Sequence, residues 1–328
     1  MKKIISIISI LTLLTLAFAS CNAPSTDDYQ LKIGYLSGPT GMGMAKLIGD
    51  NGGRDGNEKY SFVPVTADKV SEALTGGQVD IACMPTNVAA SLYNNNQSIE
   101  ILAINCLNSI YVITDKNTTI NSFEELEGKT IYTCKGGTPA PILKALLTAY
   151  GINATVTNEF NGQIIAKPEN LTPVLTSKEG APAIVVAPEP IITAASLALK
   201  SAASNDNEYS VDIDLGAVWK DKFDTDITMG CIVATKDVIK NHKSLVDNFL
   251  NEYKASIEYI NDKNNTDSAA EMIVAAGVLP KLPVAKKALG NLYGSIVYQD
   301  GEAMKSSLVA FYNAIDCALP SDSFYYEK

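Results

Sequence analysis

Gly76-Gly77-Gln78-Val79-Asp80-Ile81-Ala82-Cys83-Met84-Pro85-Thr86-Asn87-Val88-Ala89-Ala90 holds a helix stop, a strand and a helix start in direct succession. The glycine pair ends a helix over 68–75, whose Val70, Ala73 and Leu74 fall at i, i+3 and i+4. Val79 to Cys83 is an unbroken short run of strand formers. Pro85 then opens the next helix, because the N–H that proline lacks would go unpaired in a first helical turn anyway. Strand, turn and helix in that order point to an α/β fold.

The same order recurs on both sides. Leu31 to Leu36 reads as the first strand, and Pro39-Thr40 opens a helix with Met44, Leu47 and Ile48 on one face. Tyr60–Val65, Ile99–Asn105 and Ile110–Thr114 are further strands. A polar stretch from Asp115 to Asn121 marks a boundary, followed by a capping box at Ser122 to Glu125. Thr130–Cys134 leads through Gly136-Gly137-Thr138-Pro139 into a helix carrying Ile142, Leu143, Leu146 and Leu147. Ala183–Ala187 leads through Pro188-Glu189-Pro190 into another. Val211–Gly216 and Ile227–Ala234 read as the last strands, and the chain from Lys236 reads as helical, striped by Leu245, Val246, Phe249, Leu250, Tyr253 and Ile257. The alternation predicts mostly parallel sheets. Four strand-to-helix turns (37–41, 85–87, 136–139 and 188–190) would then gather at the C-terminal strand ends, where such sheets bind ligands. Unpaired N–H groups and the positive end of each helix dipole would suit anions or polar groups there.

The N-terminus reads differently. Met1-Lys2-Lys3 is followed by the apolar run Ile4 to Phe18, small Ala19-Ser20, and Cys21. This is a secretory signal, too short and wrongly flanked for a spanning helix. The junction resembles the bacterial lipoprotein processing site, which implies a signal over 1–20, a lipid on Cys21 and a polar tether over 21–29. The roughly 300 residues that follow are enough for two lobes of ordinary size. A net charge of −10 argues against nucleic acid.

Little of the usual catalytic equipment is present. His242 is the only histidine, which excludes Ser-His-Asp and Cys-His machinery and multi-histidine metal sites. No P-loop occurs, and no GxGxxG follows a strand. Cys83, Cys106, Cys134, Cys231 and Cys317 form no CxxC pair, so neither zinc nor a redox dithiol is indicated. Lone cysteines in an exported chain suit a reducing habitat. Lys135 and a helix start beside Cys134 would lower its thiol pKa, although a structural role is the more economical reading. Glu189 can serve a ligand or the helix dipole. Tyr35, Tyr111, Tyr132 and Trp219 are core residues by default and stacking surfaces for a flat ligand otherwise.

Residues 76–90 resemble the "G-x-x-D-[IV]-A…P-[TS]-N" segment of substrate-binding proteins from nitrate, sulfonate, taurine and thiamine-precursor importers. Leu31-Lys-Ile-Gly-Tyr35 is similar to their first strand, Phe123-Glu-Glu-Leu-Glu-Gly-Lys129 to the start of their second lobe, and Met229-Gly-Cys-Ile-Val-Ala-Thr-Lys-Asp237 to the strand returning to the first. The resemblance implies a two-lobed type II periplasmic-binding-protein fold with a central cleft and two chain crossovers. Residues 30–112 and 232–328 would form lobe 1, and 113–231 lobe 2. Ser37, Pro39, Thr40, Gly41 and Met42 match the first cleft loop and Thr86 and Asn87 the second. Gly136, Gly137 and Thr138 match the facing loop of lobe 2, and Glu189 its next one. The implied protein is a monomeric, lipid-anchored, extracytoplasmic solute-binding protein with no enzymatic activity, metal or cofactor, partnered by an ABC permease and ATPase. A ligand-sensing lipoprotein is the alternative, followed by an enzyme on the same fold. Arg54 is the only arginine. The guanidinium clamp that some relatives place on oxyanions is therefore missing, and a neutral, ring-bearing ligand is expected.

Overall fold

The computed structural model describes residues 29–177, 180–201 and 208–328. The expected signal at 1–20, the lipid site Cys21 and all of the 21–29 tether but its last residue lie outside them. The strands are β1 (Leu31–Tyr35), β2 (Tyr60–Pro64), β3 (Ile81–Pro85), β4 (Ile99–Leu107), β5 (Ile110–Asp115), β6 (Thr130–Tyr132), β7 (Thr155–Thr157), β8 (Glu159–Phe160), β9 (Gln163–Ile164), β10 (Ile184–Pro188), β11 (Tyr209–Asp214), β12 (Thr228–Thr235) and β13 (Ile296–Gln299). They form a six-stranded sheet in the order β13-β4-β12-β3-β1-β2, a five-stranded sheet in the order β11-β5-β10-β6-β7, and the hairpin β8-β9.

The large sheets are mixed rather than mostly parallel. β1 runs parallel to β2 and β3, and β6 parallel to β7 and β10. β12 runs antiparallel to both of its neighbours, as does β5. These two strands carry the chain between the sheets, so each enters against the direction of the βα units around it. β13, which the helical reading of the C-terminal region missed, is antiparallel to β4 at the sheet edge.

Both sheets are covered on both faces at their centres, so their central strands are continuous apolar runs, while the edge strands β7 and β11 are largely exposed. In β3, Ile81 and Cys83 enter a core built with the helices Ala45–Asp50, Lys236–Asn261, Thr266–Ala275 and Leu282–Asn291. Ala82 and Met84 enter a second core, which continues beneath the other sheet to Ile142 and Leu146 of the helix Pro139–Tyr150 and to Trp219. A third, smaller core places Val185 and Ala187 against Leu171, Leu175, Ile191 and Ala195.

Several helices differ from expectation. The helix from Pro39 is two short pieces, Pro39–Met42 and Ala45–Asp50, with Gly43 packed so close to Ile257 that an added Cβ would lie 2.7 Å from its side chain. The expected capping box yields a single 3₁₀ turn, Phe123–Leu126, in which Glu125 accepts from the Asn121 N–H. The helix Lys236–Asn261 is broken at His242, close to the expected start of its apolar stripe.

The chain leaves the first sheet after Leu107 and re-enters it at Thr228. The two passages are tied together. Asn108 exchanges backbone and side-chain hydrogen bonds with Ile227 and donates to Asp226. Asn108 and Ser109 both have positive φ, a conformation that asparagine accepts more readily than most residues.

Candidate functional site

The C-terminal ends of β1, β2, β3, β6 and β10 face one cavity of about 820 Å³. Its wall takes residues from both sheets and from all four strand-to-helix turns picked out in the sequence. Ser37, Pro39, Thr40, Gly137, Thr138 and Glu189 line it. Pro85 lines it too, at the head of the helix Thr86–Asn96.

The other expected site residues lie behind this wall. Met42 is fully buried in the first core. Gly41 packs so tightly that a Cβ would stand 1.9 Å from the Leu36 carbonyl oxygen. Thr86 is also fully buried, donating to the Thr228 carbonyl while its own carbonyl accepts from Tyr312. Asn87 donates across the cleft to the Gly137 carbonyl at 3.2 Å, and its Oδ1 is buried with no hydrogen-bond partner. Gly136 is held by its N–H to the Ala166 carbonyl.

Glu189 is 3% exposed. Its Oε1 accepts from Thr193 Oγ1 at 3.0 Å and from Asn291 Nδ2 at 2.7 Å, and its Oε2 from the Thr193 N–H. Burial raises its pKa, with the bonds from Asn291 and Thr193 opposing. Asn291 ends the helix Leu282–Asn291, which packs on the first sheet, and Thr193 belongs to Ile191–Ser201, which packs on the second. The carboxyl therefore ties the two sides of the cleft together.

Three wall segments were missed. Val65 to Ala67 follows β2, Pro168, Glu169 and Thr172 flank the turn before the helix Leu171–Leu175, and Gly277 to Pro283 connects two helices. The last carries a visible signal, Gly277-Val-Leu-Pro-Lys-Leu-Pro283, a loop too apolar to be left in water. Leu36, Ile191, Ala194, Leu197, Met229 and Val284 add to the apolar lining.

No aromatic ring lines the cavity among the described residues. Trp219 is fully buried against Phe223 and Phe311, Tyr132 meets Phe160 edge-on, and Tyr35 donates to the Ala276 carbonyl. For these three the default reading as packing residues holds, and the alternative of stacking on a ligand does not, because each ring is engaged within the protein. Tyr111 likewise lies outside the lining. His242 stacks on Tyr29 at 3.9 Å. Burial pushes the Cys134 thiol up to about 12, the opposite of the effect expected from Lys135. Arg54 is exposed beside Gly277 and does not line the cavity.

The NMT1/THI5-like family profile matches residues 99–167. No curated protein sequence matches the chain. Among solved structures, an ABC transporter from Parabacteroides distasonis is 18% identical over 92% of this chain and 100% of that one, with a TM-score of 0.69. The ligand-binding component of an ABC-type import system from Staphylococcus aureus is 15% identical over 91% and 97%, with a TM-score of 0.67. The periplasmic aliphatic sulphonate binding protein SsuA from Escherichia coli is 15% identical over 91% and 92%, with a TM-score of 0.66. The chain thus combines an NMT1/THI5-like segment with the periplasmic-binding-protein fold.

Proposed function

We propose that this chain is the solute-binding component of an ABC importer. A lipid on Cys21 holds it outside the cell membrane, and its two lobes, one built on the six-stranded sheet and one on the five-stranded sheet, close on a small molecule for delivery to a permease driven by an ATPase. The lobe limits expected from sequence, 112/113 and 231/232, move to the passages after Leu107 and before Thr228, because β5 and β12 each belong whole to one sheet. The cavity of about 820 Å³ carries this reading, because it is shared by both sheets and lies at their C-terminal strand ends. Opening turns on the paired passages at Asn108 and Ile227, since hinges concentrate at a few element-terminal residues. Ser37, Thr40, Gly137 and Thr138 offer the ligand its polar contacts from the wall. Gly41, Met42, Thr86, Asn87 and Gly136 shape that wall from behind. The reading is of a protein without enzymatic activity, and it is supported by Glu189, the buried carboxyl of the lining, whose oxygens are both engaged by Thr193 and Asn291.

Thermal unfolding against thiamine precursors, flavins, sulfonates, purines and carboxylates tests it. A ligand at 100 times its dissociation constant adds about 2.7 kcal/mol, several degrees in Tm. One compound class is expected to produce a saturable shift. A flat panel, repeated after refolding to strip co-purified ligand, would defeat the reading. The anchor is tested separately: Cys21→Ala should abolish labelling by a fatty acid and release the chain from the membrane fraction.

A further inference from the structure

Resting on the solute-binding reading, we infer that the cleft takes an uncharged, ring-bearing and largely apolar molecule rather than an oxyanion. The first observation is the prolines. The chain has 14, and among the described residues eight line this one cavity. Pro39 and Pro139 occupy the first residue of their helices, and Pro85 and Pro190 immediately precede theirs. At each of these positions proline removes one backbone N–H from a helix start, which leaves that start fewer donors for an anion. Behind Pro39, the N–H groups of Gly41 and Met42 both donate back to the Gly38 carbonyl.

The second observation is charge. Among the described residues three charged side chains line the cavity, and two of them, Glu169 and Glu189, are carboxylates. The third, Lys281, is exposed, as is Glu169. An anion entering the cleft would lose its water without gaining a buried cation among the described residues, and would rest on the wall's neutral hydroxyls alone. A cation gains little either, because the oxygens of Glu189 already accept from Thr193 and Asn291. The third observation is size and surface. At about 820 Å³ the cavity suits a molecule of many atoms rather than a small ion. Its flat, rigid surfaces are pyrrolidine rings, which present apolar C–H faces to a planar ligand without losing side-chain entropy.

Two probes that share one ring system separate the alternatives. N-phenyl-1-naphthylamine is uncharged, and 8-anilino-1-naphthalenesulfonate is its close relative bearing a sulfonate. Each is titrated by fluorescence into the full chain and into Ala67→Trp and Ala194→Trp, which fill the cleft from opposite walls. The wild-type signal minus the variant signal removes dye taken up elsewhere, and Tm reports whether each variant is folded. The uncharged dye should bind saturably, at least tenfold tighter than the sulfonate, and lose tenfold or more in either folded variant. If the sulfonate binds in the cleft within tenfold of the uncharged dye, or tighter, the inferred class is wrong and the solute-binding reading survives. If neither dye distinguishes wild type from a folded variant, the inference also falls. The metabolite panel then decides separately whether the cleft binds any solute.

Discussion

Glu189 sits between two prolines at a helix start, a setting that fits a ligand contact and a dipole contact equally well. The fold settles where its oxygens go, because Thr193 lies four residues along the same helix and Asn291 arrives from the opposite side of the cleft. Burial places its folded pKa above the ordinary 4.5. Between the two values the folded chain keeps a proton that the unfolded chain has released. This group's contribution to stability is therefore full below 4.5 and is lost as pH rises through the raised value. Urea unfolding at stepped pH should show Glu189→Gln gaining on the wild type across that window and keeping a constant difference from it above. A constant difference throughout would mean that folding does not shift this carboxyl. Gly41 and Thr86 show where residue-level reading stops. A motif identifies a turn, but the partners that orient each side chain around it, Leu36 for one and Thr228 for the other, are remote in sequence or visible only in three dimensions.

At the level of elements, the helices Leu282–Asn291 and Ile191–Ser201 meet through Asn291, Glu189 and Thr193. Asn291→Ala leaves a buried carboxyl short of one donor, which should cost the closed arrangement about 1–3 kcal/mol. Ligand affinity should fall roughly tenfold for each 1.4 kcal/mol lost, mainly through faster release. Small-angle scattering of the ligand-free variant should show a larger radius of gyration than the wild type. An unchanged radius together with unchanged release would mean that the contact does not hold the cleft shut. The strands of the two sheets were largely legible because burial on both faces leaves continuous apolar runs such as Ile184 to Ala187. Their directions were less so. A helix between two strands reads as a parallel crossover, yet β5 and β12 each enter a sheet as a passage from the other. β13 was hidden because Ile296-Val-Tyr-Gln299 is brief and lies between two helices. The Gly277 to Pro283 loop is apolar in sequence but not legible as cleft wall, since only the folded chain brings it to the same cavity as Pro188 and Pro190.

At the level of the whole molecule, the prolines and the charges act in the same direction. They leave fewer anion donors around a cavity whose position at the strand ends would otherwise favour them. The strand orders carry one more consequence. Every strand of the five-stranded sheet lies within residues 110–214, an uninterrupted stretch. The six-stranded sheet must instead bring Ile232 beside Cys83 and Ile296 beside Cys106. Contacts between nearby residues form sooner than those that close long loops. During synthesis or refolding the five-stranded sheet should therefore assemble first, while the other waits for the chain that follows it. Pulse-labelling hydrogen exchange should find the amides of β5 and β10 protected before those of β4 and β12, and the reverse order would refute this. A chain that is captured or cut before β12 has been made would thus present one finished half and an open, apolar sheet in search of its remaining strands, the species that export chaperones and proteases have most reason to recognise.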